Sequence, residues 1–106
     1  MKLFGRSSTA AKPRNHPVND YKTAKGKNGQ IIDVRTPDEV RSGMLPGAKN
    51  IPVGELGSRL GEIDKERPVL VVCRSGARSS RAAKMLSKAG YPDVINLSGG
   101  MMAYRR

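Results

Sequence analysis

Apolar and polar positions fall into two regimes along the chain. Residues 1–18 (MKLFGRSSTAAKPRNHPV) show no sustained period of 2 or 3.6 and are rich in Ser, Thr, Ala, Pro and basic residues. Such a segment has little apolar surface to bury, which predicts a mobile basic tail over 1–18 and a single domain over 19–106. Asn19-Asp20-Tyr21-Lys22 can start a helix, but Gly26, Asn28 and Gly29 cut it short. From Ile31 the pattern becomes globular. Ile31, Ile32 and Val34 make a short strand around Asp33. Thr36 then stands as a helix N-cap before Pro37, with Asp38 and Glu39 in the first turn, and the helix should end by Gly43. Leu45-Pro46-Gly47-Ala48 reads as a turn and Asn50-Ile51-Pro52 as a short extended piece. Val53, Leu56 and Leu60 share one helical face, although Gly57 and Gly61 weaken a helix there.

The second half is more regular. Pro68 precedes Val69-Leu70-Val71-Val72, four contiguous β-prone residues of the kind found in a strand buried on both faces. A short loop follows, then a helix over about Ser79 to Ala89. In it Ala82, Met85, Leu86 and Ala89 fall at i, i+3, i+4 and i+7, with Gly90 just past the end. Val94-Ile95-Asn96-Leu97 is another strand, and Gly99-Gly100 lead into a short last helix. Strands alternating with helices define an α/β fold with a mostly parallel sheet.

Composition narrows the chemistry. A length of 106 residues fits one domain. One Cys cannot form an internal disulfide, and one Cys with one His cannot supply an ordinary structural zinc site. A structural metal is therefore not expected. No apolar run approaches the ~18–20 residues that span a bilayer, and Leu3-Phe4 is too short for a secretory signal. The net charge of +11 points to an anionic partner, but +6 of it lies on the first thirty residues. Few aromatics (Phe4, Tyr21, Tyr91, Tyr104) are present for base stacking, so no specific nucleic-acid binding is expected. His16, placed in the tail, is not expected to pair with the cysteine.

The lone cysteine stands at a telling position. Cys73 is the first residue beyond the buried strand, and Cys73-Arg74-Ser75-Gly76-Ala77-Arg78-Ser79 feeds directly into the best helix. In open α/β sheets ligands bind at the carboxyl ends of strands. Successive N–H groups of a tight loop form an anion-binding nest, and the helix N-terminus adds partial positive charge. Gly76 allows the sharp turn, and Arg74 and Arg78 add cations. These features favour a thiolate, so Cys73 is expected to be a nucleophile with a lowered pKa.

At this level the chain resembles the rhodanese family of single-domain sulfurtransferases. Asp33-Val34-Arg35-Thr36-Pro37-Asp38-Glu39 resembles the family's first motif and Pro46-Gly47-Ala48-Lys49-Asn50-Ile51-Pro52 its second. Cys73 to Ser79 with Ala82-Ala83 and Leu86 is similar to its active-site loop and helix, and Leu97-Ser98-Gly99-Gly100 to its closing motif. The resemblance implies a central parallel sheet of about five strands with helices on both faces. It implies that Cys73 accepts a sulfane sulfur from thiosulfate or another small anionic donor. The persulfide would pass to cyanide, a thiol or a protein acceptor. The chemistry so implied needs no metal or organic cofactor. Residues 74–79 would cradle the sulfur, with Ser79 also capping the helix. Asp33 would order the loop by hydrogen bonds, and Arg35 could pair with Glu39. The family's related phosphatases carry a loop one residue longer, so a phosphatase or arsenate reductase is disfavoured by the Cys73–Arg78 spacing. A non-catalytic binding module is the main alternative, and such modules usually lack the Cys or the loop glycine that stand here. Gly43-Met44-Leu45 and Tyr104 depart from the family pattern and bear on substrate choice. A monomer in the cytoplasm is expected, since a lone reactive thiol suits a reducing compartment.

Overall fold

The computed structural model describes residues 11–106. The chain runs β1 (Arg14–Pro17), α1 (Tyr21–Lys25), β2 (Gln30–Asp33), α2 (Pro37–Val40), β3 (Lys49–Asn50), β4 (Val69–Val72), α3 (Ala77–Lys88), β5 (Val94–Ser98) and α4 (Gly100–Ala103). All five strands are parallel and lie in the order β1-β5-β4-β2-β3.

β4 sits at the centre, paired with β2 on one side and β5 on the other. Its four residues are completely buried. Successive side chains point to opposite faces, so the strand seeds two cores. Val69 and Val71 pack with Ile32, Leu56, Ile63, Ala82, Ala83, Leu86 and Tyr91, beneath α3. Leu70 and Val72 pack with Val18, Tyr21, Ile31, Leu45, Ile95 and Leu97 on the other face, where Met101 and Tyr104 join them. The uninterrupted apolar run of β4 thus reflects helices or turns on both sides of the sheet.

Several elements form for the reasons their sequence gives. Thr36 accepts from the Glu39 N–H at 3.3 Å, while Glu39 Oε1 accepts from the Thr36 N–H at 2.9 Å, a reciprocal capping box at the start of α2. α1 stops at Gly26. The segment expected as one helix from Val53 to Leu60 is instead 3-10, over Val53–Ser58 and then Leu60–Glu62. Its glycines disfavour an α-helix, and short 3-10 turns still bury Leu56.

The tail boundary expected at residue 18 is corrected by β1. Arg14–Pro17 pairs in register with Ile95–Ser98, so the fold begins earlier than residue 19. Val18 is a core residue with 1% exposure. The expectation of a mobile tail over residues 1–10 lies outside the described residues. His16 is likewise not in a tail but on β1, with Nε2 2.8 Å from Asp20 Oδ2. Among the described residues no helix is long and apolar enough to cross a membrane.

Candidate active site

β4 delivers Cys73 to the carboxyl edge of the sheet, between the ends of β2 and β5. The chain then turns tightly into α3. Gly76 makes this turn at φ +112°, a left-handed conformation strained for other residues, and it is the N-cap of α3. The loop closes around its own sulfur. Cys73 Sγ accepts the Gly76 N–H at 3.0 Å and the Ser79 N–H at 3.3 Å. The thiol donates to Ser79 Oγ at 3.4 Å.

Burial pushes the Cys73 thiol up, but hydrogen bonds from Ser79, Gly76 and Ser75 together outweigh it and leave the thiol below its ordinary value. Backbone donors aimed at the sulfur stabilise negative charge there without any reorganisation. Cys73 is fully buried in this arrangement, at 0% exposure.

The far side of the loop is held by α4. Met101 N–H donates to the Cys73 carbonyl at 2.8 Å and Met102 N–H to the Arg74 carbonyl at 2.9 Å. Gly100 makes this approach possible. A Cβ at that position would strike the carbonyls of Cys73 and Arg74, and its φ is +61°. The glycine pair of the closing motif therefore lets the last helix seat against the loop.

The charged residues are distributed differently from the sequence expectation. Ser79 is not the helix cap, because Gly76 holds that position. Its side chain is buried and bonds Asn96 Oδ1 at 2.6 Å and the Gly76 carbonyl at 3.1 Å. Asp33 does not bond the loop. Both its oxygens are taken by Arg35, with Nε at 3.0 Å from Oδ1 and a terminal nitrogen at 2.7 Å from Oδ2. Arg35 does not pair with the Glu39 carboxylate and reaches only its backbone carbonyl at 3.3 Å. The reason is local. Arg35 precedes the helix cap and continues the extended chain, where i and i+2 share a face.

Glu39 is taken by Arg78. The two guanidinium nitrogens meet its two oxygens at 2.7 and 2.8 Å, a fork that ties α2 to the first turn of α3. The hydrogen bonds from Arg78 and then Thr36 hold the Glu39 carboxyl down at about 2. Arg74 and Ser75 are exposed at the rim of the loop. A cavity of about 550 Å³ opens beside it, with Arg74, Arg106, Met101, Met102 and Tyr104 in its walls. Cys73 does not line this cavity. Tyr104 packs edge-on against Tyr21 at 6.0 Å.

Asn96 was absent from the sequence-derived site. It is 7% exposed, and its amide links Ser79 to Asn15 on β1, with Nδ2 donating to Asn15 Oδ1 at 3.0 Å. The available signal was a lone amide in the apolar strand Val94-Ile95-Asn96-Leu97. Among the described residues no group of His, Cys, Asp and Glu is arranged to hold a metal ion.

The cysteine-centred loop at the end of a parallel strand, closed by a glycine-led helix, fits what the comparisons with known proteins find. The family model of the rhodanese-like domain matches residues 18–106, and the chain belongs to that family. A protein named sulfurtransferase from Allochromatium vinosum is 45% identical over 76 residues, covering 72% of this chain and 71% of that one. A thiosulfate sulfurtransferase from Shewanella oneidensis is 36% identical over 80 residues, covering 76% and 79%. Among solved structures, a rhodanese-like domain protein from Staphylococcus aureus superposes with a TM-score of 0.76 at 32% identity, covering 87% of this chain and 91% of that one.

Proposed function

We propose that the protein transfers sulfane sulfur through a persulfide on Cys73. The supporting observation is the pair of N–H donors aimed at Sγ, from Gly76 and Ser79. The Cys73 thiolate attacks the outer sulfur of thiosulfate. A bond forms between Sγ and that sulfur, the sulfur–sulfur bond of thiosulfate breaks, and sulfite leaves with the electron pair. An acceptor nucleophile such as cyanide then attacks the terminal sulfur and returns the Cys73 thiolate. The covalent intermediate divides one transfer into two displacements, and no external oxidant is required. Residues 74–79 surround the persulfide, while Asp33 and Arg35 support the strand end from which the loop departs.

Thiosulfate is the donor named for the relative from Shewanella oneidensis. A small thiol or a protein acceptor would use the same second step. A reducing compartment such as the cytoplasm suits the lone thiol, and the protein acts as a monomer in this reading. The test is intact mass after incubation with thiosulfate. A gain of about 32 Da that is absent in Cys73→Ser is expected. The complete burial of Cys73 favours one second reading, a binding module whose cysteine does not react. A folded protein that gains no mass would support that reading.

A further inference from the structure

The Ser79 hydroxyl has one proton and three neighbours that bear on it. Asn96 Oδ1 lies at 2.6 Å, the Gly76 carbonyl at 3.1 Å and Cys73 Sγ at 3.4 Å. Asn96 Oδ1 is an acceptor only, and it is the nearest. Nδ2 of the same amide donates to Asn15 Oδ1 at 3.0 Å. The Ser79 proton therefore points at Asn96, and the hydroxyl turns a lone pair toward the sulfur. That arrangement matches a thiol, whose S–H donates to Ser79. It offers a thiolate no third donor beside the Gly76 and Ser79 N–H groups.

We infer that Asn96 is a positioning residue that sets how readily Cys73 ionises, by holding the Ser79 proton away from the sulfur. On ionisation the thiol proton leaves to solvent, and the Ser79 hydroxyl adds a third donor to Sγ only by turning away from Asn96. Asn96 opposes that turn. The inference rests on the reading of Cys73 as the nucleophile, but it concerns ionisation and not sulfur transfer.

The other charged groups near the loop lie off this relay, and Lys12, together with Lys84 of α3, lines a cavity with Asn15 and Asn96. Arg78 on α3 is forked to Glu39 of α2, Asp33 is held by Arg35 at the end of β2, and Arg74 is exposed at the rim. On β1, His16 is bonded to Asp20. None of them hydrogen-bonds Ser79 or Asn96 among the described residues.

The test measures Cys73 alkylation by iodoacetamide against pH in folded variants, checked by circular dichroism. Asn96→Leu removes the acceptor at similar volume. The Ser79 proton then turns to the sulfur, since a charged acceptor outcompetes the Gly76 carbonyl, and the midpoint falls by roughly one pH unit. Asn96→Asp keeps the shape but binds the Ser79 proton more tightly and adds negative charge, so the midpoint rises. Both shifts shrink to the residual charge effect in a Ser79→Ala background. If Asn96→Leu does not fold, the rise in Asn96→Asp and its loss on Ser79→Ala carry the test alone. A midpoint unmoved by either variant, or moved equally with and without the Ser79 hydroxyl, overturns the inference. Failure of thiosulfate to add sulfur, with the midpoint shifts present, overturns the transfer reading and leaves this one standing.

Discussion

Two arginine–carboxylate pairs flank the loop, and they are built to different ends. Asp33 and Arg35 lie at the end of β2 with side chains 0% and 6% exposed. Arg35 also donates to the carbonyls of Glu39 and Gly43, so one guanidinium secures a strand end and the turn beyond it. Glu39 and Arg78 are each 29% exposed and join two short-range elements, α2 and the start of α3. The buried pair has had its water removed and must stay complete. The half-exposed pair keeps part of its water and can be altered at modest cost. The difference lies in what is left behind when one partner goes.

The largest effect is expected from Arg35→Ala. It strands the Asp33 carboxylate in the interior, and stability should fall by about 3–5 kcal/mol in urea unfolding. A loss no greater than that of removing an exposed partner would erase the distinction between the pairs. Glu39→Gln should lose less, about 1–2 kcal/mol near neutral pH after allowance for solvent screening.

The same variant has a pH signature. The Glu39 carboxyl is held at about 2 against its ordinary 4.5, so the folded state binds fewer protons than the unfolded state between these values. Its contribution is fully present above about 4.5 and is lost as pH falls through about 2. Thermal melts across this range should therefore converge for wild type and Glu39→Gln at the acid end. Curves that stay parallel would show that the pair contributes nothing to acid stability.

Arg78→Lys retains the charge but not the fork, and should cost about 0.5 kcal/mol. Salt is expected to have the smallest effect. Raising sodium chloride to about 0.5 M should narrow the gap between wild type and Glu39→Gln by a few tenths of a kcal/mol, and leave the Arg35→Ala gap unchanged.

How much of this was visible in the sequence depends on whether the cause is local. β4, the loop and α3 were legible because an all-apolar strand, a lone Cys, a loop Gly and a 3.6-residue apolar period are all short-range signals. The capping box of α2 was legible for the same reason. β1 was not. Arg14-Asn15-His16-Pro17 has no apolar alternation, and its order comes from pairing with β5, the Asn15–Asn96 bond and an Arg14–Asp93 ion pair at 2.7 Å. Each of these joins residues about eighty positions apart. The partner of Arg35 was misassigned because a spacing of four is favourable only inside a helix, and Arg35 stands just before one. The Ser79–Asn96 contact required the register of α3 over β5, which no local pattern supplies.

The two outer strands of the sheet have a further consequence. β3 has only two residues, and β1 has four, of which the last is Pro17. A proline offers no N–H to an incoming strand, and the short β3 offers almost no ladder at all. Arg14 places a charge at the start of the longer edge. Among the described residues both borders are therefore poor templates for another chain to add on, which helps shield the apolar centre of the sheet from amyloid-like stacking.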